Sequence, residues 1–214
     1  MVNFKDFFNE KMNPIARRLL YVNIISMTGW AFMNPILAIY VLDNIEGATL
    51  TTVGMCFFIY NIFKAIFQLF ISSYLDRVKG EGDDFFALIL GQFLVTAVPF
   101  CLIFVRFPIG LYWVFFLYAV GDSLGVPAWN SLFTRHINPK RISFEWALNS
   151  TGVNFGTAIA VLVGSILAKV VGFPSVFILV GLAQLVGFGC LVSLKNNFIK
   201  KNKEPTDYYV GLRS

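Results

Sequence analysis

Charge is scarce in this sequence. Of 214 residues, 14% are Asp, Glu, Lys or Arg and 57% are hydrophobic, where an ordinary soluble domain carries roughly 25% charge. A soluble fold of this length needs a polar shell, which 17 basic and 12 acidic residues cannot supply. With a mean hydropathy of +0.70, the solvent for most of the surface is expected to be lipid. Histidine is nearly absent, His136 being the only one. Cysteine is limited to Cys56, Cys101 and Cys190, each isolated in an apolar run, so neither a disulfide framework nor a metal site is expected. Walker motif, dinucleotide fingerprint and zinc-ligand spacing are all missing, and no cofactor is implied. The N-terminus mixes both charge signs without an apolar h-region, which is not the pattern of a secretory signal peptide.

What is present is a series of long apolar runs. Six come close to the roughly 20 residues that a bilayer demands: about Leu19–Leu42, Thr51–Leu75, Phe85–Val105, Ile109–Phe133, Trp146–Ala168 and Pro174–Leu194. Backbone polar groups in hydrocarbon must be satisfied internally, so each run is expected to be helical. Runs such as VFFLYAV do not alternate, which argues against a β-barrel. The sequence thus predicts an all-α integral membrane protein, a six-transmembrane-helix bundle. Residues 1–18 form an N-terminal segment, 19–194 the transmembrane domain and 195–214 a basic tail.

The connecting segments are lopsided in charge. With the N-terminus placed inside, fourteen basic residues fall on the cytoplasmic side and only Arg106 and Lys169 outside. That bias predicts a multi-pass protein of the cell membrane with both termini cytoplasmic. It also explains the net charge of +5 without nucleic acid as a partner.

Two charges lie deep in these runs. Lys64 precedes Asp76 by 12 residues and Asp122 precedes Arg135 by 13, which places both about 18–20 Å from the same border at 1.5 Å per residue. An isolated charge at that depth costs on the order of 3 kcal/mol. Three readings stand at this stage: a structural ion pair, a site for a charged substrate or a coupling proton, or two helices that never touch, each charge needing its own water or partner.

Polar neighbours fall on helical stripes: Asn23, Ser26, Trp30 and Asn34 on the first run, with Pro35 able to kink it, and Asn61, Lys64, Gln68 and Ser72 on the second. The fourth carries Tyr118, Asp122 and Trp129, and the fifth Ser150, Asn154 and Thr157. Four helices are thereby expected to line a wet cavity. The third and sixth, with few polar residues beyond Gln92, Thr96 and Gln184, are expected mainly to face lipid. Trp30, Asn34, Asn61, Gln68 and Asn154, together with Lys64 and Asp122, would suit a polar organic solute. The fifth run also carries a row of small residues, Gly152, Gly156, Ala160, Gly164 and Ala168, suited to close helix packing.

One enzyme motif is imitated. Gly121-Asp-Ser-Leu-Gly125 fits the hydrolase nucleophile elbow, but that motif needs a strand-to-helix turn. Here it lies in mid-helix, with His136 some 20 Å farther along the same helix by rise alone. No catalytic residues and no enzymatic activity are expected. His136 itself reads as a solvated histidine at a helix end.

The loop Ser72-Ser-Tyr-Leu-Asp76-Arg77-Val-Lys79-Gly80 is similar to the G-x-x-x-D-R-x-G-R-R loop of the major facilitator superfamily. Further similarity runs from Gly121 through Pro127, Ala128 and Trp129 to Thr134-Arg135-His136, and on to Gly164, Gly172-Phe173 and Phe177. The chain resembles the N-terminal six-helix half of such a transporter. The resemblance implies alternating access, with Asp76 and Arg77 in a gating latch, and a small-molecule substrate. It also implies a second bundle, from a homodimer partner or a second half-size subunit. The reading is a half-size secondary active transporter, open to proton coupling; the alternative is a non-transporting scaffold or assembly protein on the same fold.

Overall fold

The structure, a computed structural model, describes residues 12–77 and 80–199. Most of the two terminal segments expected from the sequence therefore lies outside the described residues, as does Lys79. Among the described residues all regular structure is helical: α1 (Pro14–Ala31), α2 (Leu37–Asn44), α3 (Leu50–Arg77), α4 (Gly82–Phe104), α5 (Pro108–His136), α6 (Ile142–Val171), α7 (Phe173–Val192) and the short α8 (Lys195–Ile199). Five of these, α3 to α7, are long and apolar enough to cross a membrane.

The first apolar run is divided between two helices. α1 begins ahead of that run, because Asn13 caps it by accepting from the Ile15 N–H at 2.9 Å and Pro14 occupies the first helical position. It ends where Pro35, which has no N–H to donate, crowds the carbonyl one turn earlier. The chain turns there, with the Met33 N–H bonded to the Trp30 carbonyl at 3.0 Å and the Ile36 N–H to that of Met33 at 3.1 Å. α2 then continues, pinned to the end of α4 by the Tyr40 hydroxyl, which donates to the Leu102 carbonyl at 2.8 Å.

α5 packs along both α4 and α3, while α1 lies against α6 and α7, and α7 closes onto α4. Small residues set the tightest approaches. A Cβ at Gly91 of α4 would run into the backbone of Gly121 and Gly125 on α5. On α6, the same atom at Gly152, Gly156 or Gly164 would meet Ile24, Thr28 or the Phe32 backbone. The glycines of the imitation elbow are therefore packing surfaces, and Ser123 between them donates to the Val120 carbonyl at 2.8 Å.

Enclosure differs from the expectation of lipid-facing third and sixth helices. α4 and α7 are the most enclosed of the membrane-length helices, and α3 and α6 the least. A helix apolar on every side suits a core as well as lipid, and α4 and α7 each have neighbours on more than one side.

The core has two apolar clusters. One, around Leu102, Leu111 and Phe177, lies toward the α4–α5 turn; the other, around Leu19, Phe133 and Leu191, lies at the opposite end. Between them runs a polar layer. Gln184 donates to the Ser26 carbonyl at 2.9 Å and accepts from Gln92 at 2.8 Å. Gln92 also donates to the Ser26 hydroxyl at 3.2 Å. Satisfying these amides against one another removes the cost of burying them.

Candidate functional site: a charged pair beside an aromatic cavity

The site grows from two facing i, i+4 stripes. On α3, Tyr60 and Lys64 point to α5; on α5, Tyr118 and Asp122 point back. Lys64 Nζ lies 2.6 Å from Asp122 Oδ2, and the Tyr60 hydroxyl donates to the same oxygen at 2.6 Å. Lys64 also donates to the Tyr60 oxygen at 2.9 Å, closing a three-membered network. The two charges placed at one depth by counting residues are thus ion-paired. Each is a costly group in the membrane interior, and pairing with an added hydroxyl lowers that cost.

Aromatic rings fix the stripes in register. Tyr118 stacks on Tyr60 at a centroid distance of 4.5 Å and on Trp30 of α1 at 4.4 Å, so a three-ring column joins α3, α5 and α1. The Trp30 Nε1–H is buried and finds no hydrogen-bond partner among the described residues.

Beside this column, a cavity of about 250 Å³ lies among α1, α4, α5 and α6. Asp122 and Trp30 line it, and so do Asn23 and Asn149, which bond to each other at 3.0 Å. Gln92 of α4 lines it too, so the third apolar run contributes to the polar wall rather than facing lipid alone. The cost of an uncompensated amide in hydrocarbon is the sequence signal that marks Gln92 for such a role. α3, expected to line the cavity, does not reach its wall.

The other expected site residues are placed differently. Asn34 is exposed in the turn after α1, and Asn154 is exposed on α6. Asn61 is exposed and donates to the Phe57 carbonyl at 2.7 Å, back onto its own helix. Gln68 is half-buried, one turn beyond Lys64, and its carbonyl accepts from Ser72 at 2.6 Å. None of the four lines the cavity.

Asp76 and Arg77 are exposed at the end of α3. A charged link at this end of the bundle runs from Arg135, which lies 2.7 Å from Asp84 and donates to the Gly80 carbonyl at 3.0 Å. Next to it, His136 departs from the expected solvated histidine. It is buried, its Nδ1 2.9 Å from the Leu132 carbonyl, its Nε2 3.6 Å from Glu81 and its ring edge-on to Phe198.

Comparison with known proteins agrees with this architecture. The profile of the Major Facilitator Superfamily matches residues 19–208. Among solved structures, the chain is similar to the POT family transporter PepTSo, with a TM-score of 0.72 and 17% identity over 88% of this chain and 39% of that one. The chain thus spans well under half the length of that neighbour. No curated protein matches. With the five membrane-length helices of the described residues inside the matched region, the chain belongs to the major facilitator superfamily.

Proposed function

We propose that this chain forms one helical bundle of a secondary active transporter, which moves a small solute across the cell membrane by alternating access. The observation that carries the proposal is the Lys64–Asp122–Tyr60 network set beside a cavity in the bundle interior. Charges at such depth are costly to retain for packing alone, and they are the usual means of engaging a charged solute or a proton. Family membership supports the same reading. Ionisable residues within membrane spans also mark proton relays, so coupling to a proton gradient belongs to the proposal.

A second bundle, from another copy of the chain or a different subunit, would complete the pathway, the two bundles rocking about a midplane site. The exposed faces of α3 and α6 are its natural seat. The basic bias of the connecting segments supports an orientation with both termini in the cytoplasm.

The test is solute-dependent flux in proteoliposomes containing the purified chain, with and without an imposed proton gradient. Saturable uptake lost in the Lys64→Met, Asp122→Leu double variant is the expected result. Folded protein that gives no flux with a broad solute panel, alone or with partners captured by cross-linking in native membranes, would overturn the proposal in favour of a scaffold.

A further inference from the structure

The two members of the ion pair are not equivalent with respect to the cavity. Asp122 lines it; Lys64 does not. Among the described residues, Asp122 is in fact the only charged side chain in the cavity wall. Both protein donors to its carboxylate, Lys64 and Tyr60, converge on Oδ2, which leaves Oδ1 without a donor among the described residues. An anion entering this space would meet a carboxylate and no cation. A neutral molecule would leave the strongest acceptor in the wall under-used.

The remaining wall favours positive charge as well. Trp30, Trp129 and Trp146 line it, and ring faces attract cations, tryptophan most strongly; Tyr118 lines it too, but its two faces are covered by Trp30 and Tyr60. Gln92 directs its amide N–H groups to Ser26 and Gln184, so its carbonyl oxygen is left to accept. Lys64 itself shows which chemistry Asp122 takes: an alkylammonium against the carboxylate, 5.1 Å from the centroid of the Tyr60 ring. Its side chain keeps 25% exposure, so packing does not enclose it and another cation can compete for the carboxylate. At about 250 Å³, the space equals that of about eight water molecules, enough for one ring and a short arm.

From this geometry we infer that the cavity is a binding site for a small organic cation, a protonated amine with a planar or aromatic body, whose ammonium engages Asp122 Oδ1 and competes with Lys64. The inference rests on the transporter reading for its biological sense, but its test is binding and does not require flux.

Isothermal titration of the purified full chain in detergent with benzylamine, benzoate and benzyl alcohol, three molecules of similar size and different charge, separates the cases. Benzylamine is expected to bind saturably, and the other two at least about tenfold more weakly. Asp122→Asn is expected to lose benzylamine binding. Lys64→Met, which removes the internal competitor, is expected to tighten it about tenfold. The Lys64→Met, Asp122→Asn double variant leaves no unpaired charge and serves as the folded control, and it too should not bind.

Preference for benzoate, loss of binding in Lys64→Met with retention in Asp122→Asn, or absence of saturable benzylamine binding would each overturn the inference. A chain that binds benzylamine in this pattern but supports no flux would sustain the site while counting against transport.

Discussion

Arg135 on α5 lies 2.7 Å from Asp84 Oδ2 in the first turn of α4, and Ser131, one turn earlier on α5, donates to the same oxygen at 3.2 Å. Asp84 is almost wholly buried, with 1% of its surface exposed, and Arg135 is partly open to solvent. The pair is therefore asymmetric, because loss of the arginine strands a carboxylate that has nowhere to go.

Arg135→Gln is accordingly expected to cost on the order of 3 kcal/mol of stability. Asp84→Asn in the same background should recover much of that loss by removing the stranded charge. Thermal unfolding of the three variants in detergent measures both effects. An Arg135→Gln protein as stable as the parent would show that the contact contributes nothing.

The α4–α5 seam makes a sharper prediction about two glycines. A Cβ at Gly91 meets backbone on the facing helix, which cannot swing aside, whereas at Gly125 it would sit in ordinary contact, 4.0 Å from Gly91. Gly91→Ala should therefore cost about 1–3 kcal/mol through overpacking. Gly125→Ala should be neutral or stabilising by up to about 1 kcal/mol, from its gain in helix propensity. Equal effects in unfolding experiments would refute the asymmetry.

Gly172 joins α6 to α7 with φ +91° and ψ 165°, a region essentially restricted to glycine. Gly172→Ala is expected to destabilise the chain by about 1–3 kcal/mol although nothing crowds the position beyond ordinary contact with Pro174. Gly54→Ala on α3, where an added Cβ meets no atom within 4 Å, is the matched control and should show no such loss.

Tyr60 holds both charges, donating to Asp122 and accepting from Lys64. Tyr60→Phe keeps the ring stack with Tyr118 and deletes the hydroxyl, so about 0.6–1.7 kcal/mol should be lost, the scale measured for hydrogen bonds inside membranes. Denaturation of the variant in lipid or detergent checks this figure.

Much of the site is legible in the amino-acid order alone. Lys64 and Asp122 fall at one depth because helical rise is constant and both runs end at recognisable charges, Asp76 and Arg135. Trp30 and Tyr118 fall on the same periodicity, but the amides do not follow it: Asn34, Asn61, Gln68 and Asn154 lie off the cavity, while Gln92 and Asn149 line it. What is not legible depends on contacts between distant segments. His136 is buried because Phe198, some sixty residues later, closes over it, and a helix-end histidine carries no local sign of that. Asp84 is, in its own segment, one of several acids near a loop; only Arg135 across from it gives it a role. The enclosure of α4 and α7 is marked locally only by the amides Gln92 and Gln184, because uniform hydrophobicity has no direction. Pro35 announces a bend in the first run, but whether a proline bends a helix or ends it is settled by its neighbours, here by the turn through Met33 and Ile36.

The glycine contact between α4 and α5 also closes one flank of the cavity. Gly91, Gly121 and Gly125 form part of the cavity wall, and there the two backbones touch without side chains between them. A proton or hydrated ion cannot slip through such a seam without prising the helices apart. That flank is in effect sealed: the cavity beside Asp122 has no side passage between α4 and α5 at the level of these glycines.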